Sequence, residues 1–204
     1  SSLYHTSKIM DTDLLWFHVR NSNLRVTDLM QGPVYGMFTD EIKIHPNLKT
    51  IFNYDEIFGT VINRFIVQAV CNYPLTIYGK GNQTRGYINL VDSLKCIEIS
   101  LKNKPKPGEL RIFNQISETL SVNQIAKKII KTCKKYNINA KKENLINPRI
   151  EKENHYYNPK YQALKKLGFN PTLFDEKIIH EMLMEVFKFK SKIKKNVIFK
   201  GIRW

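Results

Sequence analysis

Short β-branched or aromatic runs alternate with longer segments of helical apolar period through most of these 204 residues, and that alternation restricts the chain to an α/β architecture. Tyr4 to about Asn21 carries Ile9, Leu14, Leu15, Phe17 and Val19 at helical spacing, and Leu24 to Leu29 then alternates as a strand. Gly32 to Tyr54 keeps no period and is punctuated by Gly32-Pro33, Gly36 and Pro46, which predicts a long loop of the kind that covers a functional site. A helix is expected over Ile57–Cys71, a strand over Pro74–Tyr78, a turn at Gly79–Asn82, a strand over Arg85–Leu90 and a helix over Asp92–Leu101. Leu110–Gln115 reads as a further strand, and Ser121 with Gln124 forms a capping box for a helix reaching about Tyr136. Asn158-Pro159 predicts a helix closed by Gly168, and Asp175 to about Lys192 a last amphipathic one.

Charge narrows the partners. Residues 1–94 hold eight Lys/Arg against eight Asp/Glu, whereas residues 95–204 hold 25 against 10. An excess of that size raises nucleic acid as a partner. The lysines are spread along helical stretches without zinc-finger or glycine-aromatic patterning, however, and with 26 Lys and 19 Asn a compositional bias accounts for them, so no nucleic-acid partner is expected. Cys71, Cys96 and Cys133 fit neither a disulfide framework nor a zinc site, which predicts reduced thiols and no metal. No run approaches the 18 apolar residues of a membrane span, so a soluble chain without membrane insertion is expected.

The first turn carries the most chemistry. In Tyr4-His5-Thr6-Ser7-Lys8 a phenol and an ammonium stand four residues apart, one above the other on a helix face. A cation beside a phenol favours the phenolate and brings it toward proton transfer at neutral pH. Tyr-x-x-x-Lys alone is a common surface pairing, so the rest of the chain has to support the assignment.

It does so through several segments in order: Tyr4-His5-Thr6-Ser7-Lys8; Thr27-Asp28-Leu29 running into Gln31-Gly32-Pro33; Phe58-Gly59-Thr60 leading to Asn63-Arg64-Phe65; Pro74 to Tyr87 with Gly79-Lys80-Gly81-Asn82-Gln83-Thr84-Arg85; Phe113-Asn114-Gln115; and Asn147-Pro148-Arg149 with His155-Tyr156-Tyr157-Asn158. Over essentially its whole length the chain resembles the extended short-chain dehydrogenase/reductases that act on nucleotide sugars, the NAD-dependent epimerase/dehydratase family. Gly86 after Arg85, where many epimerases have an acid, is similar to the sulfite-using branch; Met30 before Gln31 departs from that branch, which has Asn there.

The resemblance implies the C-terminal part of a Rossmann-type NAD-binding fold plus a smaller mixed α/β nucleotide-sugar-binding domain. It divides the chain into a Rossmann remainder, 1–56 and 91–138, and a UDP-sugar part, 57–90 and 139–204. The glycine-rich turn of such folds precedes the Tyr, and the chain opens at Ser1 without it, so a C-terminal half is expected. Tyr4 is implied to be the catalytic acid/base, Lys8 the residue that lowers its pKa and holds the nicotinamide ribose, and His5 an active-site residue near the sugar. Gln31, in place of the usual Asn, is implied to reach the substrate. Thr60, Val61, Thr76, Ile77 and Tyr78 would enclose uracil, Arg85 and Arg149 clamp the diphosphate, and Glu153 hold the uridine ribose. A guanidinium fork suits phosphate oxygens.

The implied activity takes UDP-glucose and sulfite through oxidation at C4, loss of water, sulfite addition and re-reduction, giving the head-group donor for the sulfolipid of photosynthetic membranes. It implies NAD as cofactor, a homodimer, and the cytoplasm of a photosynthetic bacterium or the plastid stroma. Another UDP-sugar epimerase or dehydratase, or a non-catalytic sugar-nucleotide-binding fragment, are the alternatives.

Overall fold

The first helix, α1 (Leu3–Ser22), has apolar residues around its circumference and buries only Val19. In the computed structural model, which describes residues 3–49, 51–55, 58–147 and 157–198, it is followed by β1 (Arg25–Gln31), β2 (Val34–Tyr35), α2 (Asp40–Ile44) and a 3-10 turn at Pro46–Leu48. Then come α3 (Val61–Val70), β3 (Leu75–Tyr78), β4 (Thr84–Asn89), α4 (Leu90–Lys102), β5 (Glu109–Gln115), β6 (Glu118–Ser121), α5 (Val122–Lys135), β7 (Lys142–Leu145), α6 (Gln162–Lys166) and α7 (Glu176–Lys188).

β1 and β5 run parallel, from Arg25 opposite Glu109 to Gln31 opposite Gln115. Parallel neighbours need a long crossover, and here the chain leaves β1 and returns through α4. α1 lies against both strands, tied by the Thr12 hydroxyl, which donates to the Asp28 carboxylate at 2.7 Å. Leu3, Tyr4, Ile9, Met10, Leu14 and Phe17 are exposed along it, an apolar surface well beyond scattered single residues.

The larger core gathers α3, α5 and α7 with β3. Ile62, Phe65 and Ile66 from α3, Ile125 and Ile129 from α5, and Ile179 and Leu183 from α7 are all buried there. A second, smaller core joins Ile88, Cys96 and Phe113 to Leu164 and Phe169, so α6 sits against β5 and α4. Asp92, with no exposed surface, ties these layers: it accepts from the Ser117 hydroxyl (2.8 Å), the Thr172 amide (2.6 Å) and the Thr172 hydroxyl (2.8 Å).

Four local expectations are corrected. The stretch after Gly32 holds β2, α2 and the 3-10 turn, because Thr39 caps a helix through the Ile42 amide and Gly36 takes a positive φ that ends β2. β6 and β7 were not expected. β7 is the polar Lys-Glu-Asn-Leu, carrying no alternation, and pairs in parallel with β3 from Leu75 opposite Lys142 to Tyr78 opposite Leu145. The helix expected from Asn158 begins only at Gln162, since the Asn114 side chain donates to the Lys160 carbonyl at 2.7 Å and holds the approach non-helical. α7 ends at Lys188, and a 3-10 turn covers Lys190–Lys192. The capping box at Ser121 and Gln124 is present as expected.

Candidate active site

Tyr4 and Lys8 share one face of α1: the Lys8 ammonium lies 5.7 Å from the Tyr4 ring centroid, and the His5 ring meets Tyr4 edge-on at 5.7 Å. Tyr4 is 66% exposed. Lys8 also pairs with Asp11 at 3.0 Å, and that hydrogen bond, with the Asp11 charge, raises its pKa and keeps it a cation. The helix thus presents a phenol, an imidazole and an ammonium to solvent within two turns.

The carboxyl ends of the parallel strands are the usual place for ligands in open α/β sheets. β1 ends at Gln31, whose side-chain amide donates to the Ser93 hydroxyl at 2.7 Å, and β5 ends at Gln115, which donates to the Ser93 carbonyl at 2.9 Å. Ser93 therefore fixes which way the Gln31 amide is turned. Here the chain also makes a close crossing. A Cβ on Gly32 would stand 2.6 Å from the Gly86 carbonyl, so no larger residue fits without moving the backbone.

Around β3 the residues fall into two classes. Thr60 caps α3, accepting from the Asn63 amide at 3.4 Å, and Val61 opens that helix half-buried. Thr76 and Ile77 are buried: Thr76 exchanges hydrogen bonds with the Gln68 side chain at 2.8 and 3.1 Å, and Ile77 belongs to the large core. These two can present backbone to a ligand, whereas Tyr78 presents its ring, and Arg64 stacks on it at 5.1 Å while donating to the Thr76 carbonyl at 3.1 Å. Arg64 was not among the site residues expected from the sequence. Its position beside Tyr78 makes it a candidate contact.

Arg85 follows on β4. Its guanidinium donates to the Thr84 carbonyl at 3.0 Å and lies 6.0 Å from the centroid of the Tyr157 ring, while the Gly86 amide donates to the Tyr157 hydroxyl at 3.0 Å. Below it Tyr87 is buried, and burial pushes its phenol up to about 12, so it stays neutral. Arg149 and Glu153 lie outside the described residues, as do His155 and Tyr156. Tyr157 was visible in the sequence only as part of His-Tyr-Tyr-Asn, and Ser93 and Asp92 by no motif at all. Among the described residues no group of three His, Cys, Asp or Glu could hold a metal, and no helix is long and apolar enough to cross a membrane.

The parallel strands and the helices that flank them make this the C-terminal part of a Rossmann-type fold. The chain is similar in fold to UDP-glucose 4-epimerase of Thermotoga maritima, solved with UDP-glucose (TM-score 0.67, 18% identity, 93% of this chain and 54% of that one), and to UDP-glucuronic acid 4-epimerase of Bacillus cereus, solved with UDP-glucuronic acid and NAD (0.63, 20%, 90% and 52%). In sequence it matches the C-terminal part of UDP-sulfoquinovose synthases. The chloroplastic protein of Spinacia oleracea is 40% identical over 204 residues, all of this chain and 42% of the relative, and that of Sulfolobus acidocaldarius 42% identical over 205 residues, all of this chain and 52% of the relative. The chain thus spans about half the length of the curated relatives it matches. No family model matches.

Proposed function

We propose that this chain forms the sugar-nucleotide half of an enzyme that makes UDP-sulfoquinovose from UDP-glucose and sulfite with NAD. The observation that carries the reading is identity of 40 and 42% to two UDP-sulfoquinovose synthases across the entire chain. Tyr4 is the proton acceptor for the sugar 4-hydroxyl, and Lys8, held cationic by Asp11, stands beside it. The exposed Tyr4 and Lys8 donors on one helix face also fit a ribose diol, so these two would hold the nicotinamide ribose. NAD, when bound, takes the C4 hydride and later returns it. His5 stands beside the reacting sugar and the Gln31 carbonyl accepts from it.

The diphosphate falls to Arg85 with Arg149, uracil to the Thr60–Val61 and Thr76–Ile77–Tyr78 segments, and the uridine ribose to Glu153. The division into a Rossmann remainder, 1–56 and 91–138, and a UDP-sugar part, 57–90 and 139–204, rests on the family resemblance; both hydrophobic cores take residues from each part. A homodimer in the plastid stroma, or in the cytoplasm of a photosynthetic bacterium, completes the proposal. Calorimetric titration tests the binding half of this reading: UDP-glucose should bind saturably, and Arg85→Ala should weaken it by about 1.5–3 kcal/mol, the range of a charge-assisted hydrogen bond. Equal affinity in Arg85→Ala would remove the clamp.

A further inference from the structure

The segment after Gly36 borders a space separate from the residues assigned to the sugar nucleotide. It forms one wall of a cavity of about 470 Å³ whose other walls are α3, α7 and the 3-10 turn that follows α7. Met37, Phe38, Phe52, Val67, Val186 and Phe189 make the lining mostly apolar, and none of Thr60, Val61, Thr76, Ile77, Tyr78 or Arg85 reaches it.

Two contacts between residues far apart in sequence hold this space. The Lys49 ammonium donates to the Glu185 carboxylate at 2.5 Å, and the Lys194 amide donates to the Tyr54 hydroxyl at 2.8 Å, so the wall is pinned to α7 on one side and to the chain beyond it on the other. Glu185 is 7% exposed and also accepts from Lys188 at 2.7 Å. An apolar hollow forfeits the contacts its lining would otherwise make, so a chain that holds one open by such tethers keeps room for an apolar body.

Charge selects the rest of the ligand. Among the described lining residues Glu185 is the one acid, and two ammoniums already neutralise it. Lys49 and Lys192 both lie over the Phe189 ring, at 5.4 and 5.8 Å, and Lys192 is exposed at the rim. The stretch 186–198 adds Lys188, Lys190, Lys194 and Lys195 and no acid. A cationic ligand would meet the exposed Lys192 ammonium at the lining, and a neutral one would leave it unused. We propose that the cavity binds a monomeric amphipathic anion, an acyl carboxylate, with its chain among Met37, Phe52, Val67 and Val186 and its head at Lys192.

Decanoate, kept below its micelle concentration, is the probe, titrated into the wild-type chain and two variants with unchanged far-UV circular dichroism. Lys192→Glu reverses the rim charge at an exposed position, and Met37→Trp fills the cavity from the half-buried wall. The expected result is saturable one-to-one binding, weakened several-fold in Lys192→Glu, lost in Met37→Trp, and stronger than for decanol or decyltrimethylammonium. Absence of saturation, equal affinity for the three probes, or binding unchanged in both variants, as adsorption on the exposed face of α1 would give, overturns the proposal. UDP-glucose should neither compete with decanoate nor lose affinity in either variant, so the outcome is independent of the sugar-nucleotide reading.

Discussion

The Tyr157 hydroxyl accepts from the amide of Gly86, the residue after Arg85, while its ring lies under the Arg85 guanidinium. One side chain thus holds both the backbone and the head of the proposed phosphate ligand. Tyr157→Phe removes the acceptor and keeps the ring, and should weaken UDP-glucose by about 1 kcal/mol. Tyr157→Ala removes both and should cost about 0.5–1 kcal/mol more, the size of an exposed cation–π contact. Titration calorimetry on the three proteins checks the order; equal affinities would leave Tyr157 without a role at Arg85.

Asp92 should matter for stability more than any surface charge. Asp92→Ala leaves the Ser117 hydroxyl and both Thr172 donors without their buried acceptor and should destabilise the fold by about 3 kcal/mol. Asp92→Asn keeps the shape but turns an amide N–H toward donors, and should fall between. Urea denaturation followed by circular dichroism measures both.

Much of this was legible in the sequence, and the reasons differ by element. α5 and α7 were readable because each buries one stripe at helical period, α3 because its apolar residues keep that period although it is buried nearly all round, and the Ser121–Gln124 capping box because its two halves are local. β7 was not, since its partner is the backbone of β3, far away in the chain, and nothing in Lys-Glu-Asn-Leu encodes that. The Tyr4–Lys8 pairing follows from a four-residue spacing. The Ser93 contact to Gln31 and the Tyr157 contact to Gly86 are 62 and 71 residues apart, distances over which side-chain pairing leaves no pattern.

The cysteines should separate by reactivity. Burial pushes the Cys96 and Cys133 thiols up to about 11. Cys71, half-buried, is also raised by burial, with Lys190 and Lys195 opposing. At pH 8 a thiol reagent should therefore label Cys71 first in the folded protein and all three in denaturant, as peptide mass mapping would show. Labelling of Cys96 or Cys133 ahead of Cys71 would contradict the burial.

Glu185 gives the stability a dependence on acid. Burial works to raise its pKa, and the hydrogen bonds from Lys188 and Lys49 outweigh it, leaving it lowered. A folded pKa below the unfolded one, about 4.3, means stabilisation that is fully present above that value and is lost as pH falls through the folded pKa. Thermal unfolding followed from pH 7 to pH 3 should show a decline below about pH 5 that is shallower in Glu185→Gln; identical profiles would remove the ion pairs from the account.

Product analysis by mass spectrometry bears most directly on the proposed chemistry. The chain alone, given NAD, UDP-glucose and sulfite, should not turn over, because no glycine-rich turn for the cofactor diphosphate occurs in its sequence. Joined to the N-terminal part of the spinach relative that lies outside the match, and once NAD and UDP-glucose binding are confirmed, it should form UDP-sulfoquinovose only when sulfite is present, and Tyr4→Phe should abolish the product while still binding UDP-glucose. A UDP-hexose of unchanged mass, formed with or without sulfite, would contradict the account and identify an epimerase.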